Sequence, residues 1–344
     1  MAVPVAVAAP DKFRGTLSAS AAAEAMARGL ETAGFDEVRR LPLADGGEGT
    51  LDALLAAQGG SVRRALVTGP LGDPVEAEWL LLSDGTAVVE SARASGLALV
   101  DGANDPLVAT SRGTGELLAA AVRGGARRII VTAGGSAMTD GGLGAVDALG
   151  WSLAGVDVTV ACDVSTPFVD AARVFGPQKG ATAAQVSLLT RRLERLAEVY
   201  RDRKGVDVAG MRHAGAAGGL AGGLAAIGAR LEPGFDVVAR AAGLEAALAG
   251  ADLVVTGEGR FDASSLEGKV PGGVLDYARA EGVACQAVIA GQVASDVAGL
   301  VPEGVLVLAL VDRVWQEGEA WGRAETLLEE AAVEAGRWAL ERRH

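Results

Sequence analysis

Histidine is almost missing from this chain: of 344 residues only His213 and the terminal His344 are histidine. That excludes a Ser-His-Asp triad and a zinc site built on imidazoles, since both need histidine as base or ligand. Cysteine is equally scarce. Cys162 and Cys285 each sit in an apolar run, which fits reduced thiols in a cytoplasmic protein and not a disulfide framework. Aromatic residues make up only 4% of a chain that is 50% hydrophobic, so the core must be packed closely from Ala, Val and Leu. Positive charge is in deficit, with 31 basic against 44 acidic residues and a formal charge of −13. Such a field repels nucleic acid and anionic membrane at long range and removes both as default partners. No run approaches the ~20 apolar residues of a membrane span. The opening MAVPVAVAAP has no basic n-region and no long apolar region, so it reads as a first buried strand and not as a signal peptide. Nucleotide signatures are missing too: there is no G-x-x-x-x-G-K-S/T, and neither GTGELL nor GEGRFD completes G-x-G-x-x-G.

What is present is length, glycine and a regular alternation. The chain is long enough for two domains, and 49 glycines fit loops that approach a ligand closely. VAVAAP and EVRRLPLA read as strands, each followed by a polar loop and an Ala-rich helix, the rhythm of a parallel α/β sheet. From Val67 the pattern changes to short runs joined by Gly-Pro, Asp-Pro and Asp-Gly turns, which predicts antiparallel strands. Helix returns at GTGELLAAAVRGG, and TAAQ carries the Thr182/Gln185 spacing of a capping box. DLVVTGEG, CQAVIAGQ and VLVLALV resume the α/β rhythm, and an amphipathic helix runs from Arg323 to Arg342. The expected architecture is an α/β domain built from both chain ends, residues 1–66 and 250–344, with a mixed α/β domain, 67–249, inserted into it.

In open parallel sheets ligands bind beyond the carboxyl ends of the strands, and polar residues collect there repeatedly. Asp11, Lys12 and Arg14 follow the first strand; Asp45, Gly46, Gly47 and Glu48 follow the second; Asp163 follows the strand of Cys162. Gly134, Gly135, Ser136, Thr139 and Asp140 follow RRIIVTA, and Glu258, Arg260 and Asp262 follow DLVVT. Any one cluster can be an ordinary cap or turn. Together, glycine amides, carboxylates and a few cations suit phosphoryl transfer, in which amides and Arg or Lys hold phosphate and carboxylates hold Mg²⁺ and orient the attacking hydroxyl. Lys179, in a Gly-Pro loop, and Lys269, in SLEGKVPGG, are pointed candidates because lysine is rare here. GAAGGLAGGLAAIGARLEPG could serve close packing or a ligand.

APDKFRGTLSA, PLADGGEGT, TGPLGDPV, GGSAMTDGG, ACDV, VFGPQKGAT, GAAGGL and TGEGRFDASSLEGKVPGGV, in this order, resemble the bacterial glycerate kinase family. The resemblance implies ATP- and Mg²⁺-dependent phosphorylation of D-glycerate to 2-phosphoglycerate in a cleft between a flavodoxin-like domain and one inserted into it. Lys12, Met138, Thr139, Ser264 and the AGQ of the late strand depart from the family pattern. On this reading Asp140 is the expected base. Asp45, Asp163 and Asp262 form the pool for Mg²⁺ and hydroxyl positioning, and Arg14, Lys179 and Arg260 supply positive charge. Asp11, Lys12, Glu48 and Glu258 are expected beside the substrate, with Gly134, Gly135, Ser136, Gly141 and Lys269 beside the nucleotide. Small molecules, glycerate and ATP, are the expected partners, and monomer or homodimer is left open. A kinase for a related small hydroxy acid, a glycerate kinase that forms 3-phosphoglycerate, and a non-catalytic ligand sensor are the alternatives.

Overall fold

The structure is a computed structural model that describes residues 3–314 and 317–342; Met1, Ala2 and His344, which enter the readings above, lie outside the described residues. The described strands are β1 (Val5–Ala8), β2 (Glu37–Arg40), β3 (Ser61–Thr68), β4 (Pro74–Leu81), β5 (Thr86–Glu90), β6 (Arg128–Thr132), β7 (Asp157–Cys162), β8 (Arg230–Pro233), β9 (Leu253–Phe261), β10 (Cys285–Val293) and β11 (Val305–Ala309). They belong to two compact units, one within Met1–Asp45, Asp52–Ala57 and Val238–His344, the other within Gly46–Leu51 and Gln58–Val237. The first division falls earlier than residue 66 because β3 pairs antiparallel with β4 over its whole length and so belongs to the second unit's sheet.

The first unit holds an all-parallel sheet in the order β11-β10-β9-β1-β2. Taken in chain order within this sheet, that is the flavodoxin-like order 2-1-3-4-5. Both faces are covered, so β9 and β10 are apolar runs and not alternating ones. On one face the helix Ala19–Ala33, capped by Ser18 Oγ on the Ala21 N–H, packs against the helix Ala324–Arg342. Its Ala and Gly residues set the spacing: a Cβ at Gly29 would lie 2.3 Å from the Glu329 carbonyl oxygen. On the other face Phe261, Leu275, Val288, Ala290 and Val297 form a small second core.

The second unit holds a mixed sheet, β3-β4-β5-β6-β7-β8, antiparallel from β3 to β5 and parallel beyond. The turn-rich stretch after Val67 thus forms the antiparallel edge, as its Gly, Pro and Asp pairs predict. The long helix Ala183–Lys204 opens with the capping box of Thr182 and Gln185. Residues 216–226 are buried without exception, and the Gly218 carbonyl accepts the Gly141 N–H at 3.0 Å. That glycine stretch therefore serves packing. Cys162 ends β7 and Cys285 begins β10; both are free and buried. Among the described residues no helix is long and apolar enough to cross a membrane.

Candidate functional site

Where a parallel sheet's strand order reverses, the loops on either side part and leave a crevice beyond the carboxyl ends. In the first unit that point lies between β1 and β9, which pair at Ala6–Leu253, Val7–Val254 and Ala8–Val255. The ladder is prolonged by Ala9 N–H to the Val255 oxygen and Asp11 N–H to the Gly257 oxygen, both 2.8 Å. On the other flank Leu41 N–H bonds the Ala8 oxygen and Leu43 N–H the Pro10 oxygen, which carries the chain after β2 alongside and delivers Asp45. Two glycines let the layers close. A Cβ at Gly257 would stand 1.9 Å from the Ile289 oxygen, and one at Gly259 would stand 3.1 Å from the Arg14 nitrogen. At Gly257 the neighbouring backbone leaves no room for a side chain, and at Gly259 one would fit only if the Arg14 backbone gave way by a few tenths of an ångström.

Between these glycines Glu258 interacts electrostatically with Asp11 and Asp45. Burial, then the Asp45 charge, pushes the Asp11 carboxyl up to about 7, against the Lys12 N–H that donates to its Oδ1 at 2.7 Å. Burial likewise pushes Glu258 up to about 7, opposed by a Ser265 hydrogen bond and the Lys269 charge. Glu258 Oε1 is buried with no hydrogen-bond partner among the described residues. A buried carboxylate oxygen without a donor is costly; here it is an acceptor held open.

The rest of GRFDASSLEGK builds the frame. Asp262 caps a short 3-10 turn: its Oδ1 accepts the Ser264 N–H at 3.0 Å and hydroxyl at 2.6 Å, while Ser265 Oγ accepts the Asp262 N–H. Those bonds hold the Asp262 carboxyl below its usual range and make it a structural cap. Lys269 donates to Ser264 Oγ at 2.7 Å. Arg260 is 65% exposed, 3.9 Å from Asp262, and Arg14 is exposed as well. Glu48 and Asp163 lie exposed at their loops. Sequence reasoning passed over Ser265, fully buried between Asp262 and Glu258; its signal was the capping spacing Asp-x-x-Ser.

The second unit has a polar centre of a different character. Asp140 Oδ2 accepts the Ser111 N–H and hydroxyl, both at 2.8 Å, the Gly144 N–H at 3.3 Å and the Thr110 hydroxyl at 3.4 Å, and its Oδ1 accepts the Gly142 N–H at 3.0 Å. Its lone pairs are taken, which does not suit the base expected there. Lys179 is 3% exposed and donates to Ser136 Oγ at 2.9 Å and the Met138 oxygen at 2.6 Å. Burial pushes its amine down to about 7, with Asp140 opposing. It ties the GGSAMTDGG loop from within. Of the expected phosphate amides, that of Gly141 is engaged by Gly218. Gly134 lies against the ADGGEGT loop, where a Cβ would come 2.8 Å from Gly47 Cα. The same loop is anchored by a residue the sequence reading did not single out: Glu90, 1% exposed, accepts the Gly49 N–H at 3.0 Å and the Leu51 N–H at 2.8 Å while pairing with Arg93.

The sequence profile of the Glycerate kinase family matches residues 6–155 and 152–340. Glycerate 2-kinase of Escherichia coli (strain K12) is 44% identical over 310 aligned positions, 79% of this chain and 81% of that protein. Glycerate kinase of Bacillus subtilis (strain 168) is 41% identical over 337, or 87% and 88%. A crystal structure assigned as glycerate kinase 2 from Salmonella typhimurium LT2 superposes with a TM-score of 0.85 at 35% identity, covering 99% of this chain and 100% of that one.

Proposed function

Because the chain belongs to the glycerate kinase family, we propose that Glu258, with Asp11 and Asp45, forms the centre at which it phosphorylates glycerate. The protein is an ATP-dependent phosphotransferase acting on the alcohol of a small organic acid, with 2-phosphoglycerate as the product on the strength of the Escherichia coli relative's name. The single observation that carries the site is the partnerless, buried Glu258 Oε1 at the switch point of the sheet. Phosphoryl transfer asks little covalent chemistry of a protein; it needs an oriented hydroxyl, an acceptor for its proton and balanced charge. Glu258 Oε1 accepts the glycerate hydroxyl and takes its proton as the phosphoryl group leaves ATP. Ser265 fixes which oxygen does so. The exposed guanidinium groups of Arg14 and Arg260 receive the glycerate carboxylate, a planar partner that Arg matches.

Mg²⁺ fits the hard oxygen donors of Asp11 and Asp45. Among the described residues no group of three or more ligating side chains is assembled, but Mg²⁺ characteristically takes one or two carboxylates and completes its shell with water and phosphate oxygen. When bound it would offset charge on the transferring phosphoryl group. Burial raises Asp11 first and the Asp45 charge second, and a cation placed between the two carboxylates would relieve that second part. Free, buried thiols at Cys162 and Cys285 support a cytoplasmic location.

Incubation with ATP, Mg²⁺ and D-glycerate, followed by ³¹P NMR, tests the reading. Accumulating 2-phosphoglycerate supports it. ADP without phosphoglycerate removes glycerate as the acceptor, and the 3-phosphate as sole product removes the regiochemistry.

A further inference from the structure

Within the second unit lies a cavity of about 490 Å³, in the size range of small-molecule sites. It runs along the helix Ala183–Lys204 and beneath the loop at Pro106–Ala109, and its apolar wall includes Leu107, Leu143, Leu193 and Leu196. Arg191, Arg192 and Arg195 also line it, all on that helix and all exposed. Three guanidinium groups on one cavity in a chain of charge −13 are a local reversal of sign. Arg195 pairs with Glu198 and Arg192 donates once, to the Leu107 oxygen at 3.0 Å. Arg191 has no ion-pair partner among the described residues. Thr139 lines the cavity at 2% exposure, and its hydroxyl has no hydrogen-bond partner among the described residues. Native interiors rarely leave such a group unsatisfied. Asp140, the one carboxylate of the lining, is saturated by Thr110, Ser111, Gly142 and Gly144, so nothing here calls for a cation.

We propose that this cavity binds a small organic anion with an apolar body, a carboxylate or a phosphate ester, at a site separate from the Asp11–Asp45–Glu258 centre. The leucines take the apolar body, and Arg191 and Arg192 take the anionic head in the paired geometry that guanidinium favours. None of Asp11, Asp45, Glu258, Ser265, Arg14 and Arg260, the residues of the proposed phosphorylation centre, lines the cavity, so the proposal stands or falls apart from that assignment.

The probe is 1-anilinonaphthalene-8-sulfonate, titrated against the full chain by fluorescence. Saturable binding with one site per chain is expected, at least tenfold weaker in Arg191→Glu and in Leu143→Glu, with circular dichroism and glycerate phosphorylation unchanged. Leu143 is 36% exposed, so its replacement keeps the fold where a core change would not. Displacement by octanoate assigns a carboxylate ligand, and displacement by hexyl phosphate a phosphate ester. Binding that does not saturate, that ignores both variants, or that yields to neither displacer overturns the proposal. Displacement by ATP overturns it as well, since the cavity would then belong to the nucleotide. Should either variant fail to fold, displacement on the native chain decides alone.

Discussion

Asp140 and Glu258 are both carboxylates just past the end of a buried strand, and their surroundings could hardly differ more. Asp140 is surrounded by donors, its oxygens accepting from Ser111, Gly142, Gly144 and Thr110. Glu258 has one bare oxygen, and around it stand the Lys269 charge and the like charges of Asp262 and Asp45. A carboxylate whose lone pairs are filled holds a loop; one kept partly unfilled is available to a substrate. The cations divide in the same way. Lys179 is enclosed and bonded inside its unit, whereas Arg14 and Arg260 extend into solvent.

The sharpest way to break this comparison is to neutralise the two carboxylates separately. Glu258→Gln is expected to lower kcat by about 10² to 10⁴-fold, the range for loss of an acid–base group, with Tm unchanged or raised because a buried like charge is removed. Steady-state kinetics beside thermal unfolding decide it, and an active Glu258→Gln enzyme removes Glu258 from the chemistry. Asp140→Asn should do the reverse, costing about 3 kcal/mol of stability through weakened charge-assisted bonds while the folded enzyme keeps kcat within a few-fold. A stable Asp140→Asn protein with abolished turnover would restore Asp140 as the base.

Lys179 sharpens the comparison through pH. Its folded value of about 7 lies below the ~10.4 of an unfolded lysine, so between these values the unfolded chain binds the proton better and folding releases it. The penalty of burying the ammonium is fully present below pH 7 and is relieved as pH rises toward 10. This group should therefore add about 2 kcal/mol of stability between pH 7 and 9. Lys179→Met, which fills the volume without the charge, should lack that rise when the two unfolding curves are compared. Parallel curves would mean that Lys179 is solvated.

Much of this was legible in the sequence. The α/β rhythm, the change at Val67, the Thr182 cap and the polar strand ends are local patterns, and the structure realises them in β1 to β11. The pairing of strands from both chain ends is also written in the alternation. What the sequence did not reveal is satisfaction. Ser111 meets Asp140 across 29 positions, Lys179 meets Ser136 across 43 and Glu90 meets Gly49 across 41, and no spacing rule spans such distances. Residue type alone cannot separate a saturated carboxylate from a bare one, which is why Asp140 and Lys179 looked as chemical as Glu258. Asp262 carried a legible signal that the expectation of a Mg²⁺ or hydroxyl-positioning role passed over, since Asp followed three positions later by Ser has the spacing of a cap.

The smallest expected effect concerns Arg260. Its side chain is 65% exposed, 3.9 Å from Asp262, and reaches Gln292 Oε1 at 3.4 Å. Neither contact is strong enough to hold it, so Arg260→Ala should cost under about 1 kcal/mol of stability. If this guanidinium binds the glycerate carboxylate, KM for glycerate should rise roughly tenfold, the equivalent of ~1.4 kcal/mol, with kcat little changed and KM for ATP unaffected. Arg260→Lys separates charge from geometry: recovery of most of the affinity means a point charge suffices, whereas no recovery means the planar two-donor contact is what glycerate requires. A rise in KM for ATP alone would move Arg260 from the acid to the nucleotide and leave Arg14 as the remaining seat for the glycerate carboxylate.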